Sequence, residues 1–417
     1  MGAEKKKGFL GGLRSEFGFV SGNFLILLST WLFLDFAGEL PGTYYPLYVE
    51  VLGGTASTIG LIGAIEAVSR GVVQIPGGYL ADKYGRKQLI VSMTFVAAFS
   101  RIFFFLAPSW EWVAFGAFLV GVTNIYGPAL TAIVADSVPK ERRGMAFSIM
   151  HLIESVSTTP APLMAGFLYS QLGLVTTMRL AYGLMVLALV AAAVLRLRLV
   201  ETVAEPQRFS VRDLASSFRS SLGETFHVWS LLPGSAVILL AINVATGFAI
   251  GIFQPVFTLY VVQDLKIDPV SYSYIMTTMF ASMIIVAIPV GKLIDKIGKK
   301  KPLVAAGLIA VLWVPLALYG DFIRLIASVS LTGVMIVLYM SAGNSLFADL
   351  VPRAHRGKAN GALGFFTMVS MAAGQLTGGW LFDNVGHQIP FIVHVAVMLV
   401  STILVVIYVH EPAKTED

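Results

Sequence analysis

The sequence predicts an all-α membrane protein whose twelve transmembrane helices form two pseudo-symmetric six-helix bundles. Three observations carry that expectation. The 417 residues are 56% hydrophobic and 13% charged, with a mean hydropathy of +0.79, whereas a soluble domain has about 25% charged residues. At roughly 20 apolar residues per crossing, with short turns, a chain of this length accommodates twelve crossings. The chain also repeats itself. Gly78-Tyr-Leu-Ala-Asp82-Lys-Tyr-Gly85-Arg86-Lys87 recurs as Gly291-Lys-Leu-Ile-Asp295-Lys-Ile-Gly298-Lys299-Lys300. Asp136-Ser-Val-Pro139-Lys-Glu-Arg142-Arg143-Gly144 recurs as Asp349-Leu-Val-Pro352-Arg-Ala-His355-Arg356-Gly357. Both copies lie 213 residues on (82 to 295, 136 to 349). Two unrelated signatures sharing one offset mark a gapless tandem duplication.

Taken in order, the apolar runs predict spans over 22–48, 56–80, 87–107, 111–137, 145–171 and 176–197 in the first half. The second half follows with 232–262, 270–294, 302–320, 323–350, 358–384 and 389–410, and Gly, Pro and charge mark most turns. Span 1 follows a Lys-rich start (Lys5, Lys6, Lys7) with no cleavage site after the apolar run, so it is expected to act as its own insertion signal. Residues 1–198 are expected to form the first bundle and 231–417 the second. The segment 199–230 between them is polar and contains Pro206, yet Leu214, Phe218, Leu222 and Phe226 recur at steps of four beside Arg212 and Arg219. That pattern predicts an amphipathic helix at the membrane surface, with a solvated linker as the alternative.

Charge places the two faces. The bases crowd into alternate loops, among them Lys83, Arg86 and Lys87, then Lys140, Arg142 and Arg143, then Arg196 and Arg198, then Lys296, Lys299 and Lys300. The opposite loops keep Arg179, Lys266 and Arg324. This bias predicts a multi-pass protein of the cell membrane with both termini cytoplasmic. It also accounts for the net charge of +5, which is therefore not read as a nucleic-acid signal. The chain has no cysteine, which excludes disulfide and thiolate chemistry. No metal-ligating, cofactor-binding or catalytic set emerges, so an enzyme is not expected.

The repeated loop runs resemble the signatures of the major facilitator superfamily of transporters, with one motif between helices 2 and 3 and the other between helices 4 and 5. The resemblance implies an alternating-access transporter of small molecules, taken as a monomer among membrane lipids. Spans 1, 4, 7 and 10 would line a central cavity, with spans 2, 5, 8 and 11 flanking it. It implies that Asp82, Arg86, Asp136 and Arg142, with Asp295, Asp349 and Arg356, form a charge network that latches the cytoplasmic side of each half against the other when the outside is open, while Gly78, Gly85 and Gly298 let the helices approach and the chain turn sharply. Departures narrow the subfamily. The Arg that proton-linked drug antiporters carry in the middle of span 4 is absent, with Gly116 twenty residues before Asp136 and Asn124 the strongly polar residue deep in that span. Span 5 has Pro160, Pro162 and Gly166 where a Gly-rich run is expected, while an acid in span 1 followed by Leu40-Pro41 is similar to drug antiporters.

Ionisable residues inside spans are the candidates for coupling, since each costs at least ~2.5–3.5 kcal/mol at mid-bilayer. Span 1 carries Asp35 and Glu39 one turn apart, span 2 carries Glu66 and Arg70, span 3 carries Arg101, and span 5 carries His151 and Glu154. The 213 offset turns Asp35, Glu39, Glu66 and Arg70 into Phe248, Ile252, Met279 and Met283. A need of the fold should appear in both halves, whereas a coupling site need appear once. The first half is thus read as the proton-handling half, Asp35 or Glu39 as the protonation site, and Arg101 as a partner for Asp35. Glu66–Arg70 is also consistent with a self-satisfied pair, and His151–Glu154 with a structural bond. The expected cavity residues are Trp31, Asn124, Tyr126, Asn243, Gln254, Phe257, Tyr339 and Asn344, backed by methionines of the second half such as Met276 and Met279. This aromatic, amide and Met inventory suits loosely specified apolar ligands. The expected function is proton-coupled export of amphipathic, cationic or neutral small molecules. A lipid translocator, a solute importer and a non-transporting sensor are the alternatives, and sodium could replace the proton.

Overall fold

Backbone amides cannot stay unpaired in hydrocarbon, so a chain this apolar must cross as helices or a closed barrel. The computed structural model describes residues 17–207, 232–352 and 356–411, and every regular element among them is helical. In the first half α1 is Gly22–Gly42, prolonged by a short helix Tyr45–Val51; α2 is Ala56–Tyr84 and α3 is Arg86–Phe105. α4 is Trp110–Ser137 with a 3-10 turn at Asn124–Tyr126, α5 is the pair Arg143–Thr158 and Ala161–Leu172, and α6 is Leu174–Arg196. In the second half α7 is Gly234–Asp264, broken near Pro255, α8 is Pro269–Ile297 and α9 is Lys300–Leu318. α10 is Phe322–Leu350, α11 is Arg356–Asn384 and α12 is Ile389–Tyr408.

Ten helices among the described residues are long and apolar enough to cross a membrane. The other two occupy the fifth and eleventh positions. α5 is interrupted at Thr159 and Pro160, and α11 is diluted by glycine, threonine and Gln375. The amphipathic helix expected in the linker falls mainly on 208–231, outside the described residues, as do His355 and the Lys-rich start.

The repeat extends from sequence to packing. In the first bundle α2 lies on α4, α3 on α4 and α6, and α1 on α5 and α6. In the second α8 lies on α10, α9 on α10 and α12, and α7 on α11 and α12, the same pairs moved on by six helices. The turns match too. Gly85 and Gly298 both take left-handed backbone, φ 97° and 85°, at the sharp corners α2–α3 and α8–α9, where a side chain would be strained. The halves meet along two seams, α2 against α11 and α5 against α8. Gln263 donates a hydrogen bond to Glu50, and these residues are 213 apart. A residue that meets its own repeat stands on the pseudo-two-fold axis, here at the end of the molecule away from the repeated motifs.

Candidate functional site

A cavity of about 570 Å³ lies between the bundles, a volume that holds a drug-sized molecule. It sits in the half of the molecule away from the motif loops. The first bundle contributes Gly42 at the end of α1, Tyr45 and Pro46 of the short helix that follows, and Ile59, Glu66 and Arg70 of α2. The second contributes Phe253, Gln254 and Phe257 of α7, Met276 and Met279 of α8, Trp313 of α9, and Met368, Met371 and Gln375 of α11. The wall is thus aromatic and methionine-rich with a few polar groups. Gln375 Nε2 donates to Gln254 Oε1 at 3.3 Å, and Arg70 Nη2 donates to Glu66 Oε1 at 2.8 Å. Both members of the ion pair keep about a third of their side-chain surface exposed, so the pair faces the cavity while satisfying itself.

Of the expected cavity residues, Gln254 and Phe257 stand in this wall. The others have local commitments. Asn124 donates to Val120 O of its own helix at 3.0 Å. Tyr339 donates to Asn243 Oδ1 at 3.0 Å, tying α10 to α7. Trp31 and Tyr126 pack on the core of the first bundle, and Asn344 is exposed toward the motif end of α10. Of the expected wall spans, α1 contributes Gly42, α7 a large share, and α10 Val329, Thr332 and Ile336, whereas among the described residues none of α4 lines this cavity, and α2 and α11, expected to flank it, stand in the wall. The reason is close packing, because glycines of α2 bring α11 to the centre. A Cβ at Gly60 would stand 2.2 Å from Gln375 O, and one at Gly63 would stand 2.9 Å from the Gln375 side chain.

Asp35 and Glu39 are half-buried and make no ion pair among the described residues. Glu39 stands one layer behind the cavity. Its carboxylate lies against Gly42, and its charge acts on Tyr272, and both of these are wall residues. Asp35 lies within the electrostatic reach of Glu154 of α5 and Arg196 of α6. His151 Nδ1 bonds Glu154 Oε2 at 3.2 Å, with 79% and 61% of the two side chains exposed. The expected Arg101–Asp35 pairing is replaced by a different one. Arg101 lies over the Phe104 ring, 5.0 Å from its centroid, within the electrostatic reach of Tyr45 and Tyr182.

The α5–α8 seam is closed at one end. Gly166 meets Ser273, and near it the Tyr44 hydroxyl donates to Pro269 O at 2.6 Å. Toward the motif end the seam parts: α8 packs on the Ala161–Leu172 piece of α5 far more than on Arg143–Thr158. There Ile285 and Ile288 of α8 are 72% and 71% exposed, as are His151 and Glu154 on α5.

Comparison with known proteins decides the family. The Major Facilitator Superfamily model matches residues 20–249 and again 239–417. The chain belongs to the Major Facilitator Superfamily. It is similar to "Multidrug resistance protein 2" of Bacillus subtilis, 24% identical over 399 residues, covering 92% of this chain and 94% of that protein. It is also similar to "Multidrug resistance protein MdtG" of Enterobacter lignolyticus, 26% identical over 392 residues and covering 90% of each. Among solved structures, a mutant form of the nucleoside transporter NupG superposes with a TM-score of 0.73 at 15% identity, over 92% of this chain and 98% of that one. A POT family transporter bound to 5-aminolevulinic acid gives 0.72 at 14% identity over 97% of each. The latter two establish the fold. The protein is a multi-pass membrane transporter and not an enzyme.

The superfamily loop motifs form one charge cluster in each bundle. Arg86 donates to Asp82 at 3.1 Å, to Thr202 Oγ1 at 3.1 Å, and to Asp136. Lys299 donates to Asp349 in the second bundle. In this structure each of these bonds ties helix ends of one bundle together, and the motif ends of the α5–α8 seam stand apart. Arg143 Nε donates to Ala135 O at 2.8 Å, so that residue fastens the α4–α5 turn rather than Arg142. Asp295 is exposed, and the Arg356 side chain lies outside the described residues. Gly78 has ordinary room, 4.0 Å to Pro128. The close approach of α2 and α4 is at Gly77, where a Cβ would stand 2.4 Å from Ile125 O.

Two acids that complete the clusters are absent from the sequence expectation. Glu201 accepts from the amides of Arg86 at 3.1 Å and Lys87 at 2.9 Å, and Glu411 from that of Lys299 at 2.8 Å. Burial pushes the Glu201 carboxyl up, but bonds from the amides of Val203, Arg86, Lys87 and Thr202 outweigh it and hold the group below the ordinary glutamate range. Glu201 and Glu411 are 210 apart, three short of the repeat, so a strict 213 register passes over them. A looser search for acids just after spans 6 and 12 finds both.

Proposed function

We propose that the protein exports amphipathic, cationic or neutral small molecules in exchange for protons, by alternating access. The observation that supports it best is the one-sidedness of the intramembrane charge. Asp35, Glu39, Glu66 and Arg70 have Phe248, Ile252, Met279 and Met283 as their repeats, so the fold itself does not need them. The acids favour cations, and the aromatic and methionine wall accepts apolar bodies of varied shape. Relatives named for multidrug resistance fit this substrate class. On this reading the basic motif loops and both termini are cytoplasmic, the protein works as a monomer in the cell membrane, and the parted α5–α8 seam faces inward.

The test is reconstitution in liposomes containing a pH-sensitive dye, with lipophilic cations offered as substrates. Proton movement that requires substrate and disappears in Asp35→Asn is the expected result. Substrate equilibration with no proton movement makes the protein a uniporter and removes the coupling.

A further inference from the structure

The cavity carries a second polar group besides the Glu66–Arg70 pair, and it lies on the opposite bundle. The first piece of α7 stops at Phe253 and the helix resumes at Phe257, with Pro255 in the break. Proline has no amide hydrogen with which to continue a helix, and helix interruptions in transporters set polar groups where substrates bind. Gln254 stands in this break as an exposed side chain of the cavity wall. Gln375 of α11 lies beside it, 7% exposed, and donates from Nε2 to Gln254 Oε1 at 3.3 Å. That bond leaves Gln254 its Nε2 amine and the second lone pair of Oε1, which together form the donor–acceptor edge of a primary amide. Turning both amides over exchanges their roles and leaves Gln254 the same edge.

Glycines hold Gln375 in place. A Cβ at Gly60 of α2 would stand 2.2 Å from its carbonyl O, one at Gly63 would stand 2.9 Å from Oε1 and 3.0 Å from Nε2, and one at Gly251 of α7 would stand 3.1 Å from its backbone N. The amide therefore rests face-on against Gly63 with little room to turn. Its Oε1 is buried and accepts nothing among the described residues, although buried polar atoms are ordinarily paired. A side chain kept for packing alone would not carry that cost. The repeat agrees that the fold does not ask for these amides. The 213 offset takes Gln254 back to Pro41 and Gln375 back to Pro162, so both members of the pair are prolines in the other copy. The cavity is thus divided: the ion pair stands on the first-bundle wall, with Met279 and Met283 as its repeats, and the amide pair on the second.

We propose that Gln254 is a specificity-determining residue that reads an amide-like edge on the substrate, one N–H beside one C=O, and that Gln375 is the positioning residue that presents it. The inference rests on the reading of this cavity as the substrate site. Gln254 Nε2 donates to the substrate carbonyl, and Gln254 Oε1 accepts from the substrate N–H while it also accepts from Gln375. Phe253, Phe257, Trp313 and Met371 surround the pair with apolar surface, which takes bodies of varied shape. A polar group fixed in such a wall discriminates against ligands that leave it unpaired, and holding it in place beforehand spares the cost of ordering it on binding. The favoured substrates are therefore amphiphiles that carry a carboxamide, lactam or urea group, not amphiphiles at large.

The test compares two probes that differ in one group: tetraphenylphosphonium, and its derivative with a carboxamide on one phenyl ring. Their binding to the purified full-length protein in detergent is measured by titration calorimetry, which needs no transport. Wild type is expected to bind the carboxamide probe about tenfold more tightly, the worth of one or two net hydrogen bonds. Gln254→Met, an exchange of similar size at an exposed position, is expected to abolish that preference and leave the affinity for tetraphenylphosphonium nearly unchanged. Gln375→Met is expected to remove part of the preference, and in liposomes to raise KM for the carboxamide probe with kcat unchanged. Equal binding of the two probes by wild type, or binding of neither, overturns the proposal. So does a Gln254→Met protein that loses affinity for both probes alike, which makes the pair a structural tie. If the preference is present and vanishes in Gln254→Met, yet neither probe moves protons in the liposome assay, it is the proton-exchange reading that falls and the amide subsite stands.

Discussion

The two seams between the bundles are repeats of one another, yet they pack differently. At the end away from the motifs they match: Gly166 of α5 meets Ser273, and its repeat, Gly379 of α11, would place a Cβ 2.3 Å from Ala56 O. From there they diverge. The α2–α11 seam continues on glycines, with Gly60 and Gly63 against Gln375; a Cβ at Gly71 would stand 3.1 Å from Met368 Cβ, and one at Gly364 3.2 Å from Gln74 Oε1. The corresponding positions of the α5–α8 seam are Ser273, Met276, Ile284 and His151. Small residues let helix backbones close on each other, and bulkier ones hold them off. A seam locked along its length suits a hinge, and one pinned at a single end suits a gate. The difference teaches that a duplicated fold acquires direction by changing a few side-chain volumes, not its helices.

The sharpest way to break this contrast is to staple each seam at equivalent positions, which the absence of native cysteine allows. Gly71→Cys with Met368→Cys is expected to cross-link readily, and since Met368 lines the cavity the linked fraction is judged against the unlinked double variant, over which it should lose little further transport. The repeat pair, Ser155→Cys with Ile284→Cys, is expected to cross-link slowly, with the linked fraction losing transport altogether. Equal cross-linking and equal loss would erase the distinction between hinge and gate. A smaller effect comes from filling the glycine seam. Gly60→Val meets backbone at 2.2 Å and should destabilise the protein by about 1–3 kcal/mol through overpacking, seen as a lower melting temperature in detergent. At the matching position, Ser273→Val lies in the closed end of the gate and should cost less. A larger loss there would reverse the assignment.

Much of this was legible in the sequence, and the reasons for the rest are physical. The bundles follow from hydropathy and from one offset shared by two motifs, and Gly85 and Gly298 follow from the corners those motifs must turn. Arg196 was not legible as a buried group, since it sits two residues from Arg198 in a basic run and its hydroxyl partners Thr30 and Thr94 lie 166 and 102 residues away. Neighbouring Gly77 and Gly78 look alike in sequence, and only the position of α4 distinguishes them. That α2 and α11 join α7 and α10 in the cavity wall while α4 stays out has the same reason: how far two helices approach depends on which glycine faces which carbonyl.

The smallest expected effect separates the two motif clusters. Glu201 is bonded by four amides at the head of α3 and in its own turn, whereas Glu411 takes the amides of Lys299 and Lys300 at the head of α9. Removing a carboxylate that caps a helix costs about 1 kcal/mol, so Glu201→Gln and Glu411→Gln should each lower the melting temperature modestly, Glu201→Gln the more. The pH dependence gives the test its sign. A glutamate held below its ordinary range stabilises the fold fully above the unfolded value of about 4.3, and loses that contribution as the pH falls through its lower folded value. The gap between wild type and Glu201→Gln should therefore be flat from pH 8 to about pH 5 and close below about pH 4. A gap that persists undiminished in acid would mean that shape or packing, and not the charge on Glu201, holds the α2–α3 corner.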